Sequence, residues 1–183
     1  MLRVNEIFYS LQGEGFWTGT PMTFIRLSGC NLRCPFCDTD HSAFSLMTAH
    51  DIVEKILSWP ARHAVITGGE PSLQDLEDLV ELLHTEGYTV HIETNGTNLL
   101  PETIDWITCS PKKGGEVVLG RIDELKVVYE GEDVEKFINL FPQAKHFYLQ
   151  PMSGSNIPQT VSYVLSHPRW NLSLQTHRLI NIP

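Results

Sequence analysis

What this 183-residue sequence lacks narrows it first. No stretch is rich in Lys or Arg and the net charge is -9, which argues against nucleic-acid binding by phosphate neutralisation. No apolar run is long enough to cross a bilayer, and the opening segment Met1-Leu2-Arg3-Val4-Asn5-Glu6 carries no signal-peptide core. The expectation is a cytoplasmic protein that engages neither membrane nor nucleic acid, in a compartment where thiols stay reduced. The 11 Pro and 13 Gly are scattered, so no disordered linker stands out. Length and a hydrophobic content of 42% predict one domain over residues 1–183. The eight His show no ligand spacing, and cysteine is scarce, with four in all.

Three of those four lie in the run Cys30-Asn31-Leu32-Arg33-Cys34-Pro35-Phe36-Cys37; the other is Cys109. Iron–sulfur clusters are normally held by four Cys. Three on one loop therefore suggest a cluster with one iron open to a small molecule. A zinc site completed by Cys109 is the plain alternative. Zinc sites usually use paired Cys, however, and Cys109 brings no partner, so a buried apolar role suits it better.

The rest of the chain alternates between strand and helix signals. Strands are predicted at Pro21–Leu27, His63–Thr67, Tyr88–Ile92, Trp106–Thr108, Leu125–Tyr129, Phe147–Leu149 and Leu172–Leu174. A capping box at Thr48-Ala49-His50-Asp51 opens a helix with apolar Ile52, Val53, Ile56 and Leu57. Ser72 with Asp75 reads as the cap of a second helix, with a stripe of Leu76, Leu79, Val80, Leu82 and Leu83 and a stop at Gly87. Further helices are predicted near Val134–Phe141 and Pro158–Ser166, and none between Gly96 and Trp106. This order implies a parallel α/β sheet whose site is built at the C-terminal ends of the strands. A closed eight-stranded barrel needs about 250 residues. The expectation is thus a partial, open TIM-like barrel of about six parallel strands with few helices, whose edges must be covered.

The Cys30–Cys37 spacing, with an aromatic residue before the third Cys, resembles the signature of radical S-adenosylmethionine (SAM) enzymes. Gly68-Gly69-Glu70-Pro71, on the next strand, resembles the motif that binds the SAM amino group there. Further motifs are Gln12-Gly13-Glu14-Gly15, Arg26-Leu27-Ser28-Gly29, Cys37-Asp38-Thr39, Glu93-Thr94-Asn95-Gly96, Cys109-Ser110-Pro111-Lys112, Gln150-Pro151 and Ser173-Leu174-Gln175-Thr176-His177. Together they resemble the 7-carboxy-7-deazaguanine synthase family from end to end, which makes the chain a single radical SAM domain.

The resemblance implies an activity: SAM-derived radical chemistry contracts the ring of 6-carboxy-5,6,7,8-tetrahydropterin. Ammonia leaves and 7-carboxy-7-deazaguanine, a queuosine precursor, is formed. It also implies residue roles. Cys30, Cys34 and Cys37 would hold a [4Fe–4S] cluster. Phe36, Cys37, Asp38, Gly69, Ser110, Pro111 and Lys112 would bind SAM. Leu11, Gln12, Gly13, Arg26, Thr67 and Pro183 would border the pterin, with Arg26 on its carboxylate. Thr39 would bind Mg2+. A homodimer and an electron donor such as flavodoxin are implied as partners. Two other readings stay open: a structural Fe–S or zinc module, and a radical SAM activase acting on a partner protein.

Overall fold

The computed structural model describes residues 1–35, 37, 40 and 42–183. One nine-stranded sheet runs through it, with strands β1 (Leu2–Leu11), β2 (Pro21–Leu27), β3 (Ser45–Met47), β4 (His63–Gly68), β5 (Thr89–Thr94), β6 (Trp106–Cys109), β7 (Ile122–Tyr129), β8 (Ala144–Pro151) and β9 (Asn171–Leu172). Their spatial order is β3-β1-β2-β4-β5-β6-β7-β8-β9. From β2 onward every neighbour is parallel. The two ends of the order do not pair, so the sheet is the expected open, partial barrel. Six parallel strands are of ordinary length, and β9 adds a seventh of two residues.

The first edge is covered, as expected, but by two strands that the sequence did not reveal. β1 and β3 lie there antiparallel, and β3, the exposed edge, is only three residues long, which limits strand addition by another chain. The alternation of β1 is hard to see in the sequence because its register shifts between Val4 and Glu6. A bulge of this kind breaks the period of two on which strand recognition rests.

Among the described residues there are five short helices: α1 (Ala49–Ile56), α2 (Glu77–Thr85), α3 (Glu135–Leu140) and α4 (Ile157–Ser166) pack outside the sheet, and α5 (Thr176–Leu179) lies beside the β1–β2 loop. The capping box of α1 forms as expected: Thr48 Oγ1 accepts the Asp51 N–H at 3.1 Å, and Asp51 Oδ2 accepts the Thr48 N–H at 2.7 Å. Ile52, Val53 and Ile56 are buried, but Leu57 is the C-cap and is exposed. α2 starts later than its expected cap, at Glu77. Ser72 instead belongs to a short 3-10 turn and bonds to Glu70. The α2 stripe buries Leu76, Leu79, Val80 and Leu83 against the sheet, and no described residue between Gly96 and Trp106 is helical.

A large apolar core fills the space between sheet and helices. Inside the barrel a smaller cluster, Met22, Phe24 and Val65, packs with Phe8 and Trp17. The β1–β2 loop enters from below. Its Phe16 and Trp17 rings contact His63, His91, Trp106 and His146, at the N-terminal ends of β4, β5, β6 and β8, with centroids 4.5–5.4 Å apart. These rings form a floor. His63 Nδ1 and His91 Nε2 lie 2.9 Å apart within it.

Burial, helped by the neighbouring His63, holds His91 well below an ordinary imidazole, at about 4 against 6.5. A depressed His favours folding above its unfolded value and loses that contribution as acid charges the unfolded chain. Melting temperature should therefore fall between about pH 6.5 and pH 4. His91→Phe, which keeps a ring in the floor, should flatten that limb; an unchanged acid profile in the variant would clear His91 of the effect.

Candidate active site

The polar loops that follow the strands meet at the C-terminal mouth of the barrel, as the sequence suggests. Two glycines let them meet. Gly69 N–H bonds to Leu27 O and Glu70 N–H to Gly29 O, at 3.2 and 2.8 Å. A Cβ on Gly69 would stand 2.3 Å from Gly29 O, and one on Gly68, at φ +147°, 2.0 Å from Leu27 O. The glycine pair thus lets two stretches of backbone touch, besides exposing main chain to the cavity. Glu70 is fully buried. Its carboxylate accepts from Ser72 N–H and Oγ, Thr94 Oγ1 and Asn95 N–H, at 2.6–3.0 Å. It ties the loop after β4 to the loop after β5. Asn95 Nδ2 reaches on to Asn31 at 3.0 Å, and Asn31 Nδ2 to Thr97 at 2.8 Å, which fixes the Cys loop.

These loops enclose a cavity of about 450 Å³. Cys30, Cys34, Cys37, Gly69, Ser110 and Lys112 line it, as do Leu11, Gln12, Gly13, Arg26, Thr67 and Pro183. Arg26 and Thr67 are register partners on β2 and β4, so they share a face. Arg26 Nε donates to Glu6 Oε1 at 2.7 Å, and its guanidinium lies over Phe8. Ser10 Oγ donates to Pro183 O at 2.8 Å. Lys112 turns back onto Ser110, and burial lowers its ammonium. Pro111 is not among the lining residues. The expected roles of Phe36, Asp38 and Thr39 lie outside the described residues.

A charged knot closes the deep side of the cavity, and the sequence reading missed it. Lys126 on β7 is 5% exposed and pairs with Glu14 Oε2 at 2.5 Å and Glu93 Oε2 at 3.6 Å. Gln150 and Gln175 donate to Glu14 Oε1 at 3.1 and 3.0 Å, and Gln12 to Glu93 at 3.0 Å. Burial alone would raise the Glu14 carboxyl, but the Lys126 charge and the bonds from Lys126 and Gln175 bring it down to about 2. Lys126, despite burial, is held above its ordinary value by Glu14 and Glu93. A signal was available: Glu124 and Lys126 stand at alternate positions of a strand that is apolar apart from these two and Asp123, which places both on the inner face.

Cys109 is fully buried, and burial pushes its thiol up to about 12, as its expected apolar role requires. Cys109 is the fourth cysteine, and it is not among the residues that line the cavity bordered by the other three. Leu32 N–H points at Cys30 Sγ, 3.4 Å away, and Cys37 N–H closes a turn on Cys34 O. Among the described residues no three His, Cys, Asp or Glu side chains converge as ligands of a single ion. A four-iron cluster is wider than one ion, so thiols spaced around a shared cavity fit it.

The family model for the radical SAM superfamily matches residues 24–109. The chain is 56% identical to the 7-carboxy-7-deazaguanine synthase of Bacteroides thetaiotaomicron over 182 residues, covering 100% of this chain and 99% of the relative. The chain belongs to the 7-carboxy-7-deazaguanine synthase family. The synthase of Bordetella pertussis is 43% identical, over 98% of each chain. The crystal structure of QueE from Escherichia coli superposes with a TM-score of 0.81 at 31% identity, covering 94% of this chain and 93% of that one. The superfamily's cofactors, SAM and a [4Fe–4S] cluster, fit the residues at the cavity: three thiols and no fourth, beside a glycine loop with exposed main chain. Family membership also sets aside the structural zinc module and the activase.

Proposed function

We propose that the chain is a ring-contracting lyase of queuosine biosynthesis, converting 6-carboxy-5,6,7,8-tetrahydropterin to 7-carboxy-7-deazaguanine with loss of ammonia. The observation that carries this reading is one cavity lined both by the three loop thiols and by Arg26, Thr67, Gln12 and Gly13. With both cofactors bound, the reduced cluster and SAM supply the radical that takes hydrogen from the substrate.

The chain's own part is binding and exclusion of water. Cys30, Cys34 and Cys37 hold the cluster. Phe36, Cys37, Asp38, Gly69 and the run Ser110 to Lys112 hold SAM. Leu11, Gln12, Gly13, Thr67 and Pro183 border the pterin. Arg26 receives the carboxylate, its Nε occupied by Glu6 so that the guanidinium is held at one angle. Thr39 binds a Mg2+ ion that retains most of its water. The single domain works as a cytoplasmic homodimer reduced by a flavodoxin-type donor; sedimentation at equilibrium and turnover with reduced flavodoxin check those two points.

Mass spectrometry of reconstituted, reduced enzyme with SAM and the pterin tests the activity. The expected result is 7-carboxy-7-deazaguanine and ammonia in equal amounts, and absence of that product would end this reading. Arg26→Ala should raise the pterin KM by about 30-fold or more, as truncating one partner of a hydrogen-bonded charge pair costs about 2–5 kcal/mol, and should leave SAM binding intact. A parental KM would remove Arg26 from the site. Mg2+ added to chelator-treated enzyme should raise turnover; Thr39→Val should lose that response and Thr39→Ser keep part of it. A response in Thr39→Val equal to that of the parent would refute the assignment.

A further inference from the structure

The β1–β2 loop borders the cavity through Leu11, Gln12, Gly13 and Glu14, and a second carboxylate holds it from behind. Glu124 stands two residues before Lys126 on β7 and is 2% exposed. Its Oε2 accepts the Phe16 N–H at 3.0 Å. Its Oε1 occupies the place of a Gly15 side chain: a Cβ there would lie 1.9 Å from that oxygen, and Gly15 has φ +65°. The next bond in the loop, Gly15 N–H to Ser173 Oγ at 3.0 Å, fastens it to the end of the sheet. Glu124 is not among the residues that line the cavity, so it can act on a bound molecule only through the backbone it grips.

The charges around it are unbalanced. Lys126 faces three carboxylates: Glu14 from the loop, Glu93 from β5, and Glu124 on its own strand. The other titratable neighbours are Tyr148 and the register partner His146, both on β8; on β6 the register partner is Thr108. Lys126 bonds to Glu14 and approaches Glu93. Glu124 is left as the surplus acid, buried against loop backbone.

We propose that Glu124 is a positioning residue that latches the substrate-bordering loop, and that the latch holds best when this carboxyl carries a proton. The inference rests on the pterin reading above. Burial, with the charges of Glu93 and Glu14, pushes the carboxyl up to about 7 against the pull of Lys126 and the Phe16 N–H. Opening the loop would let water reach the carboxylate, so ionisation favours the open loop and protonation the closed one. Substrate KM should accordingly rise from about pH 4.5 to about pH 7 and level off above.

Hydrogen exchange of the segment 13–17, compared at equal pH between the parent and Glu124→Gln, reads the latch directly. Gln keeps the acceptor for Phe16 without the charge. Both proteins should protect the segment alike near pH 4.5, and the parent alone should lose protection between there and about pH 7, with no further loss above. Glu124→Ala, which leaves the Phe16 N–H unpartnered, should exchange faster at every pH and raise the pterin KM about tenfold with SAM affinity unchanged. Parallel exchange in parent and Glu124→Gln across the whole range would overturn the proposal. So would parental exchange in Glu124→Ala; if that variant does not fold, the Gln comparison decides alone. Failure of the parent to turn over the pterin would strike the functional reading, while the exchange data would still judge the latch.

Discussion

Cys30→Ala, Cys34→Ala and Cys37→Ala should each abolish the visible absorbance of reconstituted enzyme and reduce turnover to the uncatalysed level. All three thiols line the cavity, and the chain has no spare thiol to replace one of them. Cys109→Ser should retain both properties. That sulfur is fully buried in the apolar core, beneath Gly96, where a Cβ would stand 2.8 Å from it. The Ser variant should be somewhat less stable, because a hydroxyl replaces a thiol where no water reaches. Anaerobic absorption spectra with and without SAM check the series. Loss of the cluster in Cys109→Ser would restore the four-thiol site.

The second large effect is expected from Lys126→Met. The substitution keeps length and apolar bulk but removes the one cation between Glu14 and Glu93. Breaking a buried ion pair from one side costs about 3–5 kcal/mol, because the remaining charge is stranded. Glu14, now at about 2, should move upward past the ordinary carboxylate range. The sign with pH follows: a depressed carboxyl favours folding above its unfolded value and loses that contribution as pH falls toward the folded one. The parent should weaken between about pH 4.5 and pH 2, and the variant should lack that limb. Denaturant titrations of Lys126→Met, Glu14→Gln and the double variant measure the coupling. A cost below about 1 kcal/mol for Lys126→Met would mean that the knot contributes little to stability.

Much of this was legible in the sequence, for physical reasons. Strands buried on both faces read as apolar runs, so β2, β4 and β5 were found nearly in place, while β7 was read only from Leu125 because Asp123 and Glu124 break its run. The capping box of α1 is a local device that needs only Thr48 and Asp51. The Cys loop and the glycine pair were legible because their chemistry demands fixed spacing. The remainder depended on distant partners. The β1 strand was hidden by its bulge. Ser72 looks like a helix cap, yet its bond goes to Glu70, which the buried Thr94 and Asn95 hold in place. Lys126 and Glu14 are 112 positions apart, and no local pattern announces such a pair.

The plug formed by the β1–β2 loop has a consequence for how the molecule is made. Glu14 bonds to Gln175, 161 positions later, Gly15 to Ser173, 158 later, and Gly13 O to the Thr176 N–H. The loop leaves the ribosome more than 150 residues ahead of its fasteners. The pocket wall therefore stays incomplete until Thr176 has emerged, while the Cys loop and the strands around it already lie close in sequence. Contacts of such span also slow folding, since the chain loses loop entropy before they form. Thiol loop first, substrate wall last, is the order that this connectivity imposes.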